Sequence, residues 1–246
     1  DALPILLLSE AQIAERNAET YRLQPELFML DKLPVSYSAQ ELNTVIGQVS
    51  AVPSTERFYA DGALLNEAQW RSYRQNLGLN AVTASNPVRF ALVVKRTLLT
   101  AFPSADRVFN QEQNLDLNRF QETGLFPGEP VAVLHQSTDK QWYLVRSFNY
   151  TGWVPVSDLA LGSKEQVLSY GKQEPFLIVT GARITTAYNP ELQAVSELQL
   201  DMGVRLPLLS AAETGHRVHG QNPLASHIVR LPVRQPDGSL EFTAAL

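Results

Sequence analysis

The sequence predicts a mainly β fold with a helical N-terminal segment and two small β-barrels. Three observations carry this: capped helical starts confined to the first third, a switch to period-two apolar alternation near Val88, and a second strand series opening at Phe176. A chain of 246 residues, 44% of them hydrophobic and 18% charged, has the length for several units and the apolar content to bury a core. Disorder and collagen-like sequence are thereby excluded. With no cysteine there is neither a disulfide scaffold nor a thiol for chemistry, a usage that tilts the compartment towards an oxidising envelope. The 20 Lys and Arg stand against 25 Asp and Glu, so the net charge of -5 offers no electrostatic footprint for nucleic acid or anionic lipid. The apolar run from Leu3 to Leu8 is broken by Pro4 and preceded by no basic residue, so neither membrane insertion nor a targeting signal is predicted from it.

In the first third, Ser9 and Gln12 precede Ile13, Ser38 and Glu41 precede Leu42, and Asn66 and Gln69 precede Trp70. Each pair has the spacing of a capping box or a close variant, in which a side-chain oxygen at the start and a carboxyl or amide three residues on satisfy each other's backbone N–H. Three short helices are predicted, separated by Pro25, Pro34 and Pro53. They are too short to stand alone, so this segment, residues 1–87, is expected to bury Leu42, Ile46 and Trp70 against the strands C-terminal to it.

From Val88 onwards Phe90 and Leu92, Val131 and Val133, and Trp142 and Leu144 alternate with neighbours of the opposite face, marking strands of a first barrel over 88–162. Ser137-Thr138-Asp139-Lys140 and Asn149-Tyr150-Thr151-Gly152 are predicted turns, and Ala101 to Gly128 a long irregular excursion. A second barrel is predicted over 163–246, with strands at Phe176–Thr180, Val204–Leu208 and His227–Val233, then a Pro236-Asp237-Gly238 turn into Leu240 and Phe242. Strand, long loop and meander recur in the same order, so the second half reads as a degenerate repeat of the middle.

Specific residues then carry a resemblance. Arg96-Thr97 through Pro103, Asn118-Arg119-Phe120-Gln121, Gly128-Glu129-Pro130-Val131, Leu134 to Asp139, Gln141 to Val145 and Tyr150 to Val154 resemble, in order, the first bacterial SH3 barrel of NlpC-type cell-wall cysteine peptidases. The segment with Trp70 and Asn76 is similar to the N-terminal stabilising domain of those enzymes, and Phe176 to Gly181 with Asp201 to Leu208 to their second barrel. The resemblance implies two small SH3-like β-barrels in a parent of the secreted or periplasmic bacterial envelope, whose downstream domain hydrolyses γ-D-glutamyl-diamino acid bonds of peptidoglycan. That domain would supply a Cys nucleophile with a His base, which a chain without cysteine lacks. These residues then form the non-catalytic part that gates substrate and binds the stem peptide. The alternative is a stand-alone cell-wall or protein-binding adaptor.

The same resemblance implies candidate sites. In the resembling peptidases an acid from the first barrel's loop and a barrel tyrosine recognise the free amino end of the stem peptide. This implies Tyr150, with Asp116 as the better acidic candidate and Asn118 as the position matching the family's acid. No catalytic residue, metal or cofactor is expected. His216 and His219 are three apart in turn-like sequence, which suits solvated side chains better than a metal pair. Ser137, His135 and Asp139 sit too close along one strand and turn to make a linear relay, so His135 is expected to pack at the strand end and Asp139 to fix the turn. No Gly-rich strand–helix loop stands ready for a nucleotide. Of five aromatics within twelve residues, Trp142, Tyr143 and Trp153 are expected in the core, whereas Phe148 and Tyr150 flank a turn.

Overall fold

All three capping boxes close in the computed structural model, which describes residues 8–246; the apolar run from Leu3 lies outside the described residues except for Leu8. Helices α1 (Glu10–Leu23), α2 (Ala39–Val49) and α3 (Glu67–Asn76) begin at Ser9, Ser38 and Asn66, each with reciprocal side-chain bonds to the residue three positions on. Their burial differs. Leu42 and Ile46 of α2 are fully buried and α3 buries Trp70 and Tyr73, as expected, but α1 buries nothing. Between them lie the short strands β1 (Ser36–Ser38) and β2 (Phe58–Tyr59), with β3 (Ser85–Pro87) following α3 and pairing with β1.

The middle of the chain forms a seven-stranded antiparallel sheet. Its strands are β4 (Arg89–Val93), β5 (Thr97–Thr100), β7 (Gln121–Leu125), β8 (Pro130–Gln136), β9 (Trp142–Arg146), β10 (Thr151–Pro155) and β11 (Leu159–Gly162), with β6 (Val108–Phe109) outside it. The order is β11-β4-β8-β9-β10-β5-β7. The excursion from Ala101 to Gly128 is thus less irregular than its sequence suggests. β7 adds to the edge of β5, and β6 pairs with β2 of the helical segment. Neither strand has an alternation long enough to announce itself, because each exists only through a distant partner.

A helix absent from the sequence prediction, α4 (Lys164–Tyr170), starts at a Ser163–Gln166 capping box and leads into the last part. There β12 (Phe176–Ile178) pairs with β15 (Arg205–Pro207), β13 (Arg183–Thr185) with β14 (Gln199–Asp201), and β16 (Val229–Arg234) with β17 (Leu240–Ala245). The predicted hairpin joins the last pair, its Gly238 at φ +90°. A one-turn helix, α5 (Ala211–Thr214), precedes it. The fold is mainly β with a helical N-terminal segment, and among the described residues no helix is long and apolar enough to cross a membrane.

One apolar core runs through all of this. Leu42, Ile46, Trp70 and Tyr73 of the helical segment share a cluster with Phe90, Leu92, Leu144 and Trp153 of the sheet and with Tyr170 and Leu240 beyond it. Separate clusters fill the other side of the sheet, around Val93 and Val145, and the last part, around Leu206 and Leu231. Tyr170 is fully buried, stacks on Phe242 at 5.4 Å, and donates to the Arg230 carbonyl at 2.6 Å. A Cβ on Gly128 would stand 2.7 Å from its ring, so glycine is needed there for the close approach.

Candidate groove between helix α3 and the barrel

The spacing of Trp70, Tyr73 and Leu77 puts all three on the inward face of α3, where they are buried. Trp70 and Tyr73 form an aromatic cluster with Phe102 and Phe120, whose rings lie 4.9 Å apart. Two anchors therefore hold the loop after β5 against the helix. Towards the surface, the Tyr73 hydroxyl donates to the exposed Asp106 at Oδ2, 2.5 Å away, and lies 2.9 Å from the hydroxyl of the half-buried Tyr59.

On the exposed flank of α3, Asn76 acts as a clip. Its Nδ2 donates to the Pro103 carbonyl at 2.9 Å and to Asp139 Oδ2 at 3.0 Å, while its Oδ1 accepts from the Asp139 N–H at 3.1 Å. The β8–β9 turn is fastened further by Thr138, whose N–H donates to the Asn76 carbonyl and whose hydroxyl donates to that of Gln75. Both bonds satisfy carbonyls that the end of a helix would leave open. Helix, loop and turn enclose a groove of about 590 Å³, lined by Tyr73, Asn76, Ser104, Asp106, Asp139 and Trp142 among others. Among the described residues two carboxylates line it, and no lysine or arginine does.

The electrostatics favour a cationic guest. Burial, reinforced by the bond to Asp106, pushes the Tyr73 phenol far above its usual range, so it stays a neutral donor. Partial burial opposes the charge on Asp139, but bonds from the Ser137 hydroxyl, the Gln141 N–H and Asn76 outweigh it and hold the carboxyl below its usual range. Asp106 Oδ2 accepts from Tyr73, and Oδ1 accepts no hydrogen bond among the described residues. Two carboxylates lining one groove suit an ammonium group, which needs acceptors.

The residues predicted from sequence, Tyr150, Asp116 and Asn118, do not line this groove. Tyr150, 39% exposed, sits at the β9–β10 turn, while Asp116 is exposed and Asn118 half-buried on the loop between β6 and β7. Asn118 Oδ1 accepts from the N–H groups of Val108 and Phe120, both at 3.1 Å, so this amide shapes the loop. Among the described residues no hydrogen bond joins Tyr150 to either of the other two. His135 is buried with Nε2 3.0 Å from the Gly78 carbonyl, and Ser137 donates to Asp139, so the three do not form a relay. His216 is exposed, but His219 is half-buried with Nε2 within reach of Thr243 Oγ1 and the Ala244 carbonyl. Trp153 is fully buried, Tyr143 nearly so and Trp142 partly; Phe148 is 51% exposed. The carboxylate of the groove that sequence reasoning missed, Asp106, carried no local signal beyond belonging to an acidic loop.

Comparison with known proteins bears on the fold. Residues 107–155 match the SH3 domain family of the SH3b1 type. No curated protein matches. Among solved structures, an NlpC/P60 endopeptidase from Photobacterium damselae subsp. piscicida superposes with a TM-score of 0.70 at 17% identity, covering 97% of this chain and 52% of that one. This chain thus spans about half the length of that endopeptidase. The chain contains a segment similar to SH3 domains of the SH3b1 type, within a fold similar to that of an NlpC/P60 endopeptidase.

Proposed function

We propose that this chain is a non-catalytic module of the secreted or periplasmic bacterial envelope that binds peptidoglycan stem peptides and gates their access to an NlpC-type peptidase domain cleaving γ-D-glutamyl-diamino acid bonds. The SH3b1-type segment and the fold shared with an endopeptidase support the class of the module. The observation that carries the ligand is the groove in which Asp106 and Asp139 face a space without a basic residue. It suits the free amino end of a wall peptide. Residues 1–87, 88–162 and 163–246 act in this reading as stabilising segment, ligand-facing barrel and second barrel. Tyr150 and Asp116 form a more distant wall on the ligand-facing barrel, with Asn118 setting the loop that presents Asp116.

A charge-assisted bond of the ammonium to Asp106 contributes about 1.5–3 kcal/mol when shielded from water, or roughly tenfold to a hundredfold in affinity, and less in an open groove. The test is calorimetric titration of the tripeptide L-Ala-γ-D-Glu-diaminopimelate and its N-acetylated twin into the chain and into Asp106→Asn, Asp116→Asn and Tyr150→Phe. Acetylation and Asp106→Asn are expected to weaken binding alike. Loss only in Asp116→Asn and Tyr150→Phe would move the ligand to the β9–β10 end, and no loss anywhere would refute peptide binding on this face. Muropeptides incubated with the chain alone should stay uncut, since it has no cysteine to supply a thiolate.

A further inference from the structure

Across the α3 end from the acidic groove lies a second one, of about 680 Å³, with the opposite charge. Arg71 and Arg74, one turn apart on α3, and Lys140, on the β8–β9 turn, line it, and among the described residues no acidic one does. Arg74 is paired with Glu67, which stands outside the groove. Arg71 and Lys140 are exposed and make no ion pair among the described residues, so the groove keeps a surplus of positive charge. Its surface is not purely polar: Leu79, 47% exposed, contributes an apolar floor. Gln75 and Thr138 line both grooves and are themselves bonded, forming the ridge between them.

We propose that the Arg71–Arg74–Lys140 groove binds the carboxylates of a peptide whose amino end occupies the acidic groove. This inference rests on the reading of the acidic groove as an ammonium site. Opposite charge on the two sides of one ridge fits a chain that carries an ammonium at its start and carboxylates a few residues on. The apolar floor favours a peptide over a polyphosphate, which has no apolar surface to cover Leu79. A reversed peptide would meet like charge at both ends, so the pair of grooves also sets direction.

The experiment titrates the peptide Ala-Ala-Glu-Glu, its N-acetylated form and the carboxylate-free analogue Ala-Ala-Gln-Gln amide into the 246-residue chain and into the double variant Arg71→Ala, Lys140→Ala. Because both side chains are exposed, the variant is expected to melt with the wild type, checked by circular dichroism. The acidic peptide should bind wild type about tenfold more tightly than the amide, and the double variant should erase that difference without changing affinity for the amide. Equal affinities in wild type, or a difference that survives in the variant, would overturn the proposal. So would binding of inorganic polyphosphate with none of Ala-Ala-Glu-Glu. If acetylation has no effect while the dependence on Arg71 and Lys140 persists, the ammonium reading of the acidic groove fails and a peptide spanning both grooves is overturned with it, whereas an effect of acetylation without dependence on Arg71 and Lys140 would overturn this proposal alone.

Discussion

Gly78 carries an unusual share of the geometry for a residue without a side chain. It sits at φ +69°, in the left-handed region, and a Cβ there would lie 2.8 Å from the Gln136 carbonyl oxygen and 3.1 Å from His135 Nε2. Gly78→Ala therefore combines backbone strain with a backbone clash, and should destabilise the protein by about 1–3 kcal/mol, read from urea unfolding. His135 beside it supplies a pH signature. Burial lowers its pKa below the ordinary 6.5, against smaller opposing contributions from the Gly78 and Leu77 backbone. Between the lowered folded value and the unfolded one, the unfolded chain holds more protons, so stability rises with pH. The contribution is complete above about 6.5 and is lost as pH falls through the folded value. Unfolding free energies measured from about pH 7.5 down to about pH 5 should decline in wild type and decline less in His135→Gln.

Elements are joined by a few specific bonds, and the clearest lies at the end of α2. Ser50, which ends that helix, donates to the Ala101 carbonyl at 2.7 Å and accepts from the Trp153 indole N–H at 3.0 Å. Ser50→Ala leaves a fully buried N–H without a partner and is expected to cost about 1–3 kcal/mol, measurable as a lowered urea midpoint with unchanged slope. The features legible in the sequence were local. The boxes at Ser9, Ser38 and Asn66 need only four residues each, and the Pro236-Asp237-Gly238 hairpin needs only its turn and two alternating flanks. Helices α4 and α5 begin at boxes just as local, at Ser163 and Ser210, yet they are too short to display an apolar stripe. The candidate groove was hidden for a different reason. Tyr73 meets Asp106 across 33 residues and Asn76 meets Asp139 across 63, and such meetings are set by tertiary packing that no spacing rule encodes. Asn118, singled out by resemblance, proves to be tied to the backbone of its own loop.

At the scale of the molecule, the shared core decides how the parts behave together. Because residues from Leu30 to Leu240 belong to one buried cluster, separating the helical segment or the last part from the sheet would expose apolar surface on both sides of the cut. Scanning calorimetry should therefore show a single transition with equal calorimetric and van't Hoff enthalpies, and two resolved peaks would contradict the shared core. The segment 107–155 omits β4, β5 and β11, and expressed alone it should not give a cooperative transition. Tyr170 extends the same logic to motion. Its ring is closely approached by Gly128 and stacked on Phe242, with its hydroxyl bonded to the Arg230 carbonyl of β16. A junction held at three points has no axle to turn about, so the sheet and the final hairpins are expected to tumble with one rotational correlation time, which NMR relaxation would read.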